Sequence, residues 1–377
     1  MGGVRFDYIA RECRDTFKGS FENVPIVGLE HIEPYDMLLK KFEANVETTF
    51  TKSFKKGQIL FGRRRAYQHK ACVATFDGVC SGDITVIEPI EGRVDRKLLP
   101  FIIQNDDFFE HAIKGSNGAL SPRVKWQHMA SFMVNLPEPD RQKELADKLW
   151  AAYEVKQSYL KMIDAIDELV KSRFIEMFGN PISSKQNYPL KKLGECAEIN
   201  PHRDTIPVAD SDLVSFVPMP SVNEEGYLQD VADVEYGSVK KGFTYFKNGD
   251  ILFAKITPCM ENGKGAIAVN LTNNIGMGST EFHVLRPIPN VSLDYWILAL
   301  TRLPVFREKA AKNMTGTGGQ KRVPSSFLSE FKVGLPPISA QEEFATVYKQ
   351  ANKSKIELRK SIDAIDKVIK SLINENL

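Results

Sequence analysis

Several features that mark large classes of protein are absent or scarce in this sequence. The five cysteines of the 377-residue chain form no Cys-x-x-Cys spacing, which argues against a disulfide framework and a zinc site and favours buried, reduced thiols. No run approaches the roughly 20 apolar residues that a membrane-spanning helix needs, and the first residues lack the apolar core of a secretory signal. These absences predict a cytoplasmic protein.

Positive charge is not in general excess. The chain has 50 Lys and Arg residues against 48 Asp and Glu residues, which gives a net charge of +2. A general nucleic-acid coat protein is far more basic, so any DNA-binding surface here must concentrate its positive charge locally. The hydrophobic share of 42% is that of a globular protein, and the length allows two or three domains of about 100–200 residues.

Motifs for catalysis are also missing. The Asn-Pro pairs at 180–181 and 200–201 do not continue into the Asn/Asp-Pro-Pro-aromatic element of an adenine methyltransferase. Asp83, Glu88 and Asp250 lack the second carboxylate that a nuclease needs at close spacing, and the histidines show no metal-ligand spacing. We therefore predict no catalytic and no metal-binding residue. A stand-alone DNA-modifying enzyme and a coiled-coil scaffold without a DNA role are the alternatives.

An internal repeat dominates what the sequence does contain. Residues 163–167 and 362–366 share the sequence Ile-Asp-Ala-Ile-Asp at an offset of 199 residues. Two pairs of segments upstream also match, 54–61 with 246–253 and 81–89 with 279–287. Between these matches the second copy is six residues longer. The pattern predicts two long repeat units, not a solenoid of short ones.

Each repeat unit has a mixed front part and a helical rear part. In the front parts, short β-rich runs at 58–61 and 84–87 and their counterparts are bounded by glycine turns and prolines, which is typical of strands. Residues 98–111 and 295–312 are predicted to be helical. The front parts are therefore predicted to form α/β or α+β globules.

The rear parts have the apolar seam of a coiled coil. Seam positions alternate steps of four and three residues, the 3.5-residue period of supercoiled helices. The seam residues are Leu145, Leu149, Ala152, Lys156, Tyr159, Ile163, Ile166, Val170, Arg173 and Met177, and then Phe344, Tyr348, Ala351, Lys355, Leu358, Ile362, Ile365, Ile369, Leu372 and Asn376. We predict that the two helices pack antiparallel. The seam lysines either reach solvent, or they set the helix register or contact a partner subunit.

Basic and polar residues gather at two places in each copy. Arginine can form paired hydrogen bonds with guanine and glutamine with adenine, and both arginine and lysine can bind phosphate. Glycine-rich turns at 115–118 and 316–319, ahead of the long helices, could hold phosphate through backbone N–H groups. The predicted DNA-binding residues are Arg63, Arg64, Arg65, Tyr67, Gln68, Lys70, Arg123, Lys255, Thr257, Asn262, Lys264, Lys321 and Arg322. A solvated hairpin and a flexible loop are the plain alternatives.

The order of globule, long helix, globule and long helix, together with these motifs, resembles that of the specificity subunit of a type I restriction–modification system. The resemblance rests on residues 247–253, 316–323 and 335–341 and on their first-copy counterparts 55–61, 116–124 and 136–142. Each motif is short, but their order is duplicated at matching distances. The first copy departs from the family's pattern, because Gln58 stands where the second copy has Asp250, and residues 116–121 replace the glycine-rich run.

The resemblance implies an α+β fold in which two similar target-recognition globules are joined by two long antiparallel coiled-coil helices, with an internal pseudo-twofold repeat. The domains it implies are target-recognition domain 1 at 1–137, spacer helix 1 at 138–179, target-recognition domain 2 at 180–336 and spacer helix 2 at 337–377. Each globule would read one half of a bipartite, asymmetric site in double-stranded DNA. The chain itself would be non-catalytic.

The resemblance also implies partner subunits. Two modification subunits would bind around the helices and carry S-adenosylmethionine and the adenine-methylation chemistry. Restriction subunits could join them, with ATP and Mg²⁺, and cleave DNA. No cofactor is expected on the chain itself.

Overall fold

The computed structural model describes most of the chain as two compact units. The described residues are 3–116, 122–181, 183, 187–203, 207–317 and 319–377. Unit 1 comprises Met1–Leu160 and Arg359–Leu377, and unit 2 comprises Lys161–Leu358. No helix in the described part of the chain is long and apolar enough to cross a membrane.

Unit 1 consists of short strands, short helices and the first part of a long helix. The strands are β1 (Val4–Arg5), β2 (Ala10–Cys13), β3 (Ile26–Val27), β4 (Lys52–Phe54), β5 (Ile59–Gly62), β6 (Ala71–Val73), β7 (Gly78–Cys80), β8 (Ile84–Pro89) and β9 (Met133–Val134). The helices are α1 (Phe6–Ile9), α2 (Leu99–Gln104), α3 (Asp106–Lys114), α4 (Trp126–Ala130) and the long α5 (Pro139–Phe178), which continues into unit 2.

Antiparallel pairing builds the main sheet of unit 1, in the order β2-β8-β5-β6. In a smaller sheet, β7 pairs in parallel with β3 and antiparallel with β4. Strand β9 returns to pair with β1 just before α5 begins. Phe61 of the main sheet and Phe101 and Phe109 of the short helices pack with Leu145 and Leu149 of α5, so burial of aromatic side chains attaches the globule to the helix.

Unit 2 contains the remaining elements. Its strands are β10 (Leu190–Lys192), β11 (Ala197–Ile199), β12 (Leu213–Val217), β13 (Ala232–Glu235), β14 (Thr244–Phe246), β15 (Ile251–Ala254), β16 (Gly265–Ile267), β17 (Gly276–Gly278), β18 (Phe282–Pro287) and β19 (Lys332–Gly334). Its helices are α6 (Leu193–Cys196), α7 (Tyr236–Val239), α8 (Asp294–Arg302), α9 (Pro304–Lys312), α10 (Ser325–Glu330) and the long α11 (Ile338–Asn376), which ends in unit 1.

The sheets of unit 2 repeat those of unit 1. The main sheet has the order β11-β18-β15-β16, and its central register is the same: Leu252 lies opposite Val284 as Leu60 lies opposite Val86. In the smaller sheet, β17 again pairs in parallel with β12 and antiparallel with β14. Strand β13 and helix α7 are additions on its β12 side. The predicted repeat is therefore present in the fold.

Both helices predicted in the front parts are broken. The segment predicted at 98–111 forms α2 and α3, and that at 295–312 forms α8 and α9. Asn105 is extended and its side chain accepts a hydrogen bond from the Asp107 N–H at 3.1 Å, so it caps α3. At the second break Leu303 is extended before Pro304, because proline disfavours the helical conformation in the residue that precedes it.

Helices α5 and α11 run antiparallel, as predicted. Within unit 2, Asp167 of α5 pairs with Lys355 of α11, whereas Phe174, further along α5, packs on Phe344, which is earlier in α11. Each predicted seam residue is buried or half-buried. Phe174 lies off the seam and is buried too, because the core of the unit 2 globule packs on that side of the helix. The predicted α+β fold with two globules and a pair of long antiparallel helices is confirmed.

The two seam lysines form ion pairs that the repeat relates to each other. Lys156 Nζ donates to Asp366 Oδ1 at 2.6 Å within unit 1, and Lys355 Nζ donates to Asp167 Oδ1 at 2.8 Å within unit 2. The two lysines are 199 residues apart in the sequence, and so are the two aspartates. Lys355 is buried, so it does not reach solvent. A paired polar group in an apolar seam is a recognised way of fixing helix register.

Candidate nucleic-acid interface

The Lys-x-Gly-Gln/Asp motif before β5 and β15 forms a tight turn. Gly57 and Gly249 have φ values of 87° and 88°, in the left-handed region that favours glycine. Gln58 Oε1 accepts a hydrogen bond from the Lys55 N–H at 2.7 Å, and Asp250 Oδ2 accepts one from the Lys247 N–H at 2.8 Å. Gln58 therefore closes the same turn that Asp250 closes, although the residue type differs.

The neighbouring strand compensates for that difference. Gln58 Nε2 donates to Glu88 Oε2 at 2.8 Å, whereas Arg286 donates two hydrogen bonds to Asp250, at 2.8 and 2.7 Å. Glu88 and Arg286 occupy equivalent positions on β8 and β18. These carboxylates therefore have structural partners. The motif lies at the start of β5 and β15, and the basic segments follow the other ends of these strands.

The basic segment of unit 1, residues 63–70, connects β5 to β6. The Arg63 N–H donates to the Asp83 carbonyl at 2.9 Å, and the Arg63 carbonyl accepts from the Val124 N–H at 2.8 Å. The Arg65 N–H donates to the Pro122 carbonyl at 3.0 Å. The chain just ahead of α4 is thus hydrogen-bonded along the end of β5.

Unit 2 repeats these three backbone bonds. The Lys255 N–H donates to the Glu281 carbonyl at 2.9 Å, the Lys255 carbonyl accepts from the Val323 N–H at 2.9 Å, and the Thr257 N–H donates to the Lys321 carbonyl at 3.0 Å. In each unit the structure therefore brings together the two patches that the sequence places far apart. We call the combined surface face 1 in unit 1 (residues 63–70, 83 and 122–125) and face 2 in unit 2 (residues 255–264, 281 and 321–323).

A carboxylate pairs with an arginine at the same point of each face. Arg123 Nε donates to Asp83 Oδ1 at 2.7 Å, and Arg64 Nη1 lies 3.4 Å from Asp83 Oδ2. Arg322 donates from Nε and Nη2 to the two oxygens of Glu281, at 2.9 and 2.7 Å. These hydrogen bonds lower the pKa of both carboxyl groups, so each stays ionised.

The predicted DNA-binding residues differ in exposure. Lys70 turns towards the protein, where Nζ donates to the Leu29 carbonyl at 2.7 Å, and Thr257 Oγ1 donates to the Gly319 carbonyl at 2.9 Å. The exposed members are Arg65, Tyr67, Arg123, Asn262 and Lys321. The half-buried members are Arg63, Arg64, Gln68, Lys70, Lys255, Thr257, Lys264 and Arg322.

Backbone constraint holds the exposed turn of face 1. Arg65 and His69 have φ values of 54° and 51° on either side of a 3₁₀ turn at Ala66–Gln68. This conformation costs a non-glycine residue about 1–2 kcal/mol, and packing of the His69 ring against Tyr35 and Phe109, with centroids 4.8 and 4.4 Å apart, offsets part of it. Strained turns that are held in this way are common at functional sites.

The glycine-rich turns are only partly within the described residues. Positions 117–121 and Gly318 lie outside them, so the predicted phosphate contact of these turns stays a prediction. In the described part, Thr315 and Arg322 exchange backbone hydrogen bonds at 2.9 and 2.8 Å. These bonds close the turn directly beside Arg322.

Sequence reasoning missed Asp83 and Glu281 of these faces, and also Tyr35, which packs on His69 of face 1. Asp83 was considered only as an isolated carboxylate. A signal was available, because the repeat aligns Asp83 with Glu281 and Arg123 with Arg322. An acid and an arginine that recur together at matched positions predict a pair. No comparable signal marks Tyr35, whose contact with His69 depends on the fold.

Comparison with known proteins finds the same family by a family model and by individual relatives. Residues 186–366 match the family model of the type I restriction modification DNA specificity domain. The chain is 33% identical over 224 residues to the type I restriction enzyme EcoAI specificity subunit of Escherichia coli, which covers 58% of this chain and 37% of that protein. It is 34% identical over 200 residues to the EcoEI specificity subunit, which covers 51% and 33%. The chain thus aligns with about a third of each curated relative's length.

Solved structures share the fold across nearly the whole chain. A chain of a type I R-M system superposes with a TM-score of 0.50 at 14% identity, covering 97% of both chains. The type I restriction-modification S subunit from M. genitalium superposes with a TM-score of 0.52 at 10% identity, covering 98% of this chain and 94% of that one. At such low identity these likenesses concern the fold alone.

Proposed function

The chain belongs to the specificity subunits of type I restriction–modification systems, and on that premise we propose that it is the sequence-specific DNA-binding subunit of such a complex. Unit 1 reads one half of a bipartite, asymmetric site in double-stranded DNA, and unit 2 reads the other. The observation that carries this proposal is the recurrence of one backbone framework with different side chains in faces 1 and 2.

Two globules that read different half-sites are expected to share a backbone framework and to differ in the side chains that it presents. The three repeated backbone bonds give both faces the same support, while the connection at 255–264 is two residues longer than that at 63–70. Arg65 in face 1 and Lys321 in face 2 are exposed cations suited to phosphate or guanine. Gln68 and Asn262 carry the amide groups that pair with adenine.

We also propose the partners and cofactors. Modification subunits, two per chain, bind around α5 and α11 and carry S-adenosylmethionine for adenine methylation. Restriction subunits, where present, bring ATP and Mg²⁺. The chain contributes recognition and placement but no catalytic group.

Methylation profiling of the host genome tests this function. Deletion of the gene should abolish adenine methylation at one bipartite motif and leave other methylated motifs unchanged. Persistence of every methylated motif would contradict the proposal. The enzyme alternative is tested separately, by incubating the purified chain with S-adenosylmethionine and duplex DNA: binding without methyl transfer supports a reader, whereas turnover supports an enzyme.

A further inference from the structure

The ion pair in each face is unexpected for a surface that meets a polyanion. A carboxylate near the phosphate backbone is repelled by it. Yet an acid stands at the same position in both faces, immediately before β8 and β18. The acid and the arginine that it binds recur in two globules whose connections at 63–70 and 255–264 differ, which indicates a shared role.

The geometry shows what the carboxylate does. The side chains of Asp83 and Glu281 are 19% and 26% exposed, whereas Arg123 and Arg322 are 51% and 41% exposed. Each acid thus lies beneath the more accessible guanidinium that it binds. An arginine with both hydrogen-bonding edges available would bind a phosphate in the same forked geometry. The carboxylate already occupies one edge.

We propose, on the basis of the function proposed above, that Asp83 and Glu281 are positioning residues that hold Arg123 and Arg322 away from phosphate and so suppress binding to DNA of any sequence. The two arginines then brace the segments ahead of α4 and α10. Contact with DNA is left to exposed residues such as Arg65 and Lys321. The result is a larger ratio of specific to non-specific affinity.

The expected size of the effect follows from counterion release. Each added phosphate contact steepens the slope of log K against log salt by about 0.9, which is roughly 3.5-fold more affinity lost between 50 and 200 mM salt. Glu281→Gln releases Arg322, so its slope should steepen by about one unit. Asp83→Asn should have the larger effect, because Asp83 also pairs with Arg64, whereas Ile256 stands at the equivalent position of face 2.

A salt titration with the full-length chain tests the proposal. A fluorescent duplex of random sequence is the probe, and anisotropy gives its affinity. Asp83→Asn and Glu281→Gln should each raise that affinity several-fold and steepen the slope. The matched controls are Asp83→Asn with Arg123→Gln and Glu281→Gln with Arg322→Gln, in which the released arginine is gone and the slope should return towards the wild-type value. Asp83→Glu should keep the wild-type slope.

The outcomes are distinct. Unchanged or weaker random-sequence binding by both single variants, with wild-type thermal stability, would overturn the proposal. If one single variant fails to fold, the other unit's variant provides the test, because the pair recurs there. A wild-type chain that binds no duplex at all would instead refute the proposed function. In methylation profiles, Asp83→Asn should relax only one half of the motif and Glu281→Gln only the other.

Discussion

The buried lysine of the helix seam allows a stability prediction with an internal control. Lys355→Leu removes the amine that Asp167 accepts from, and Lys156→Leu makes the same change at the repeat-equivalent ion pair with Asp366. The side chains of Lys355 and Asp167 are 5% and 29% exposed, whereas those of Lys156 and Asp366 are 21% and 48% exposed. The same substitution therefore removes the lysine from a more buried ion pair and from a more exposed one.

These exposures determine the magnitudes. Removal of one partner from a fully buried ion pair costs about 3–5 kcal/mol. Because water still reaches the Asp167 carboxylate, Lys355→Leu should cost less than that, about 2 kcal/mol. The pair at Lys156 is closer to a surface ion pair, which contributes about 0–1 kcal/mol. Replacement of both partners, Lys355→Leu with Asp167→Leu, should be neutral or stabilising by about 1–4 kcal/mol, since no unpaired charge remains.

Thermal unfolding of the full-length variants measures these differences. For a unit of this size a change of 1 kcal/mol shifts Tm by about 2–4 °C. Lys355→Leu should therefore lower Tm by about 4–8 °C and Lys156→Leu by about 4 °C or less. Equal shifts for the two lysines would refute the argument from burial. So would a Lys355→Leu variant that is more stable than the wild type while the double variant is less stable.

Three further predictions concern charge and length. Arg65→Ala should weaken duplex binding and flatten the salt slope by about one unit. Arg64→Ala should have a smaller effect, because the Arg64 guanidinium lies near Asp83. If an Arg63/Arg64/Arg65 triple alanine variant binds duplex as the wild type does, this cluster is not part of the interface. Burial lowers the pKa of Lys355, and the hydrogen bond to Asp167 opposes that shift. The stability contribution of this group is therefore present above its unfolded pKa of about 10.5 and is lost as pH falls through the lower folded pKa. As pH rises towards about 10.5, the wild type should gain stability relative to Lys355→Leu in thermal unfolding. Insertion of one heptad after Ile166 and one after Ile365 lengthens each helix by about 10 Å. These insertions should widen the gap between methylated half-sites without changing either half. A four-residue insertion should be tolerated less well, because it shifts the seam register.

Periodic features of the fold could be predicted from the sequence. The alternation of four and three residues fixed which side of α5 and α11 is buried, because a coiled coil selects for that period. Turn glycines followed by short apolar runs marked β5 and β15 to within one residue. The helix breaks at Asn105 and Leu303 were missed, because short apolar runs on both sides of each break look continuous.

The faces were less accessible to sequence reasoning for a different reason. Charge density identified the basic connections, but it could not show that Lys70 turns inward or that Arg123 is bound by Asp83. Those facts depend on hydrogen bonds between residues 41 and 40 positions apart in the sequence. The recurrence of Asp83 as Glu281 was the one sequence signal of that contact, and it became interpretable only once the repeat was aligned with the sheets.

An exchange of one globule tests the central claim that two matched units read two half-sites. Residues 180–336 would be replaced by the corresponding globule of another family member, and the methylated motif would be determined by sequencing of the host genome. The account predicts that one half of the motif changes to that of the donor while the other half is retained. A change in both halves, or a motif that is a single continuous sequence, would contradict it.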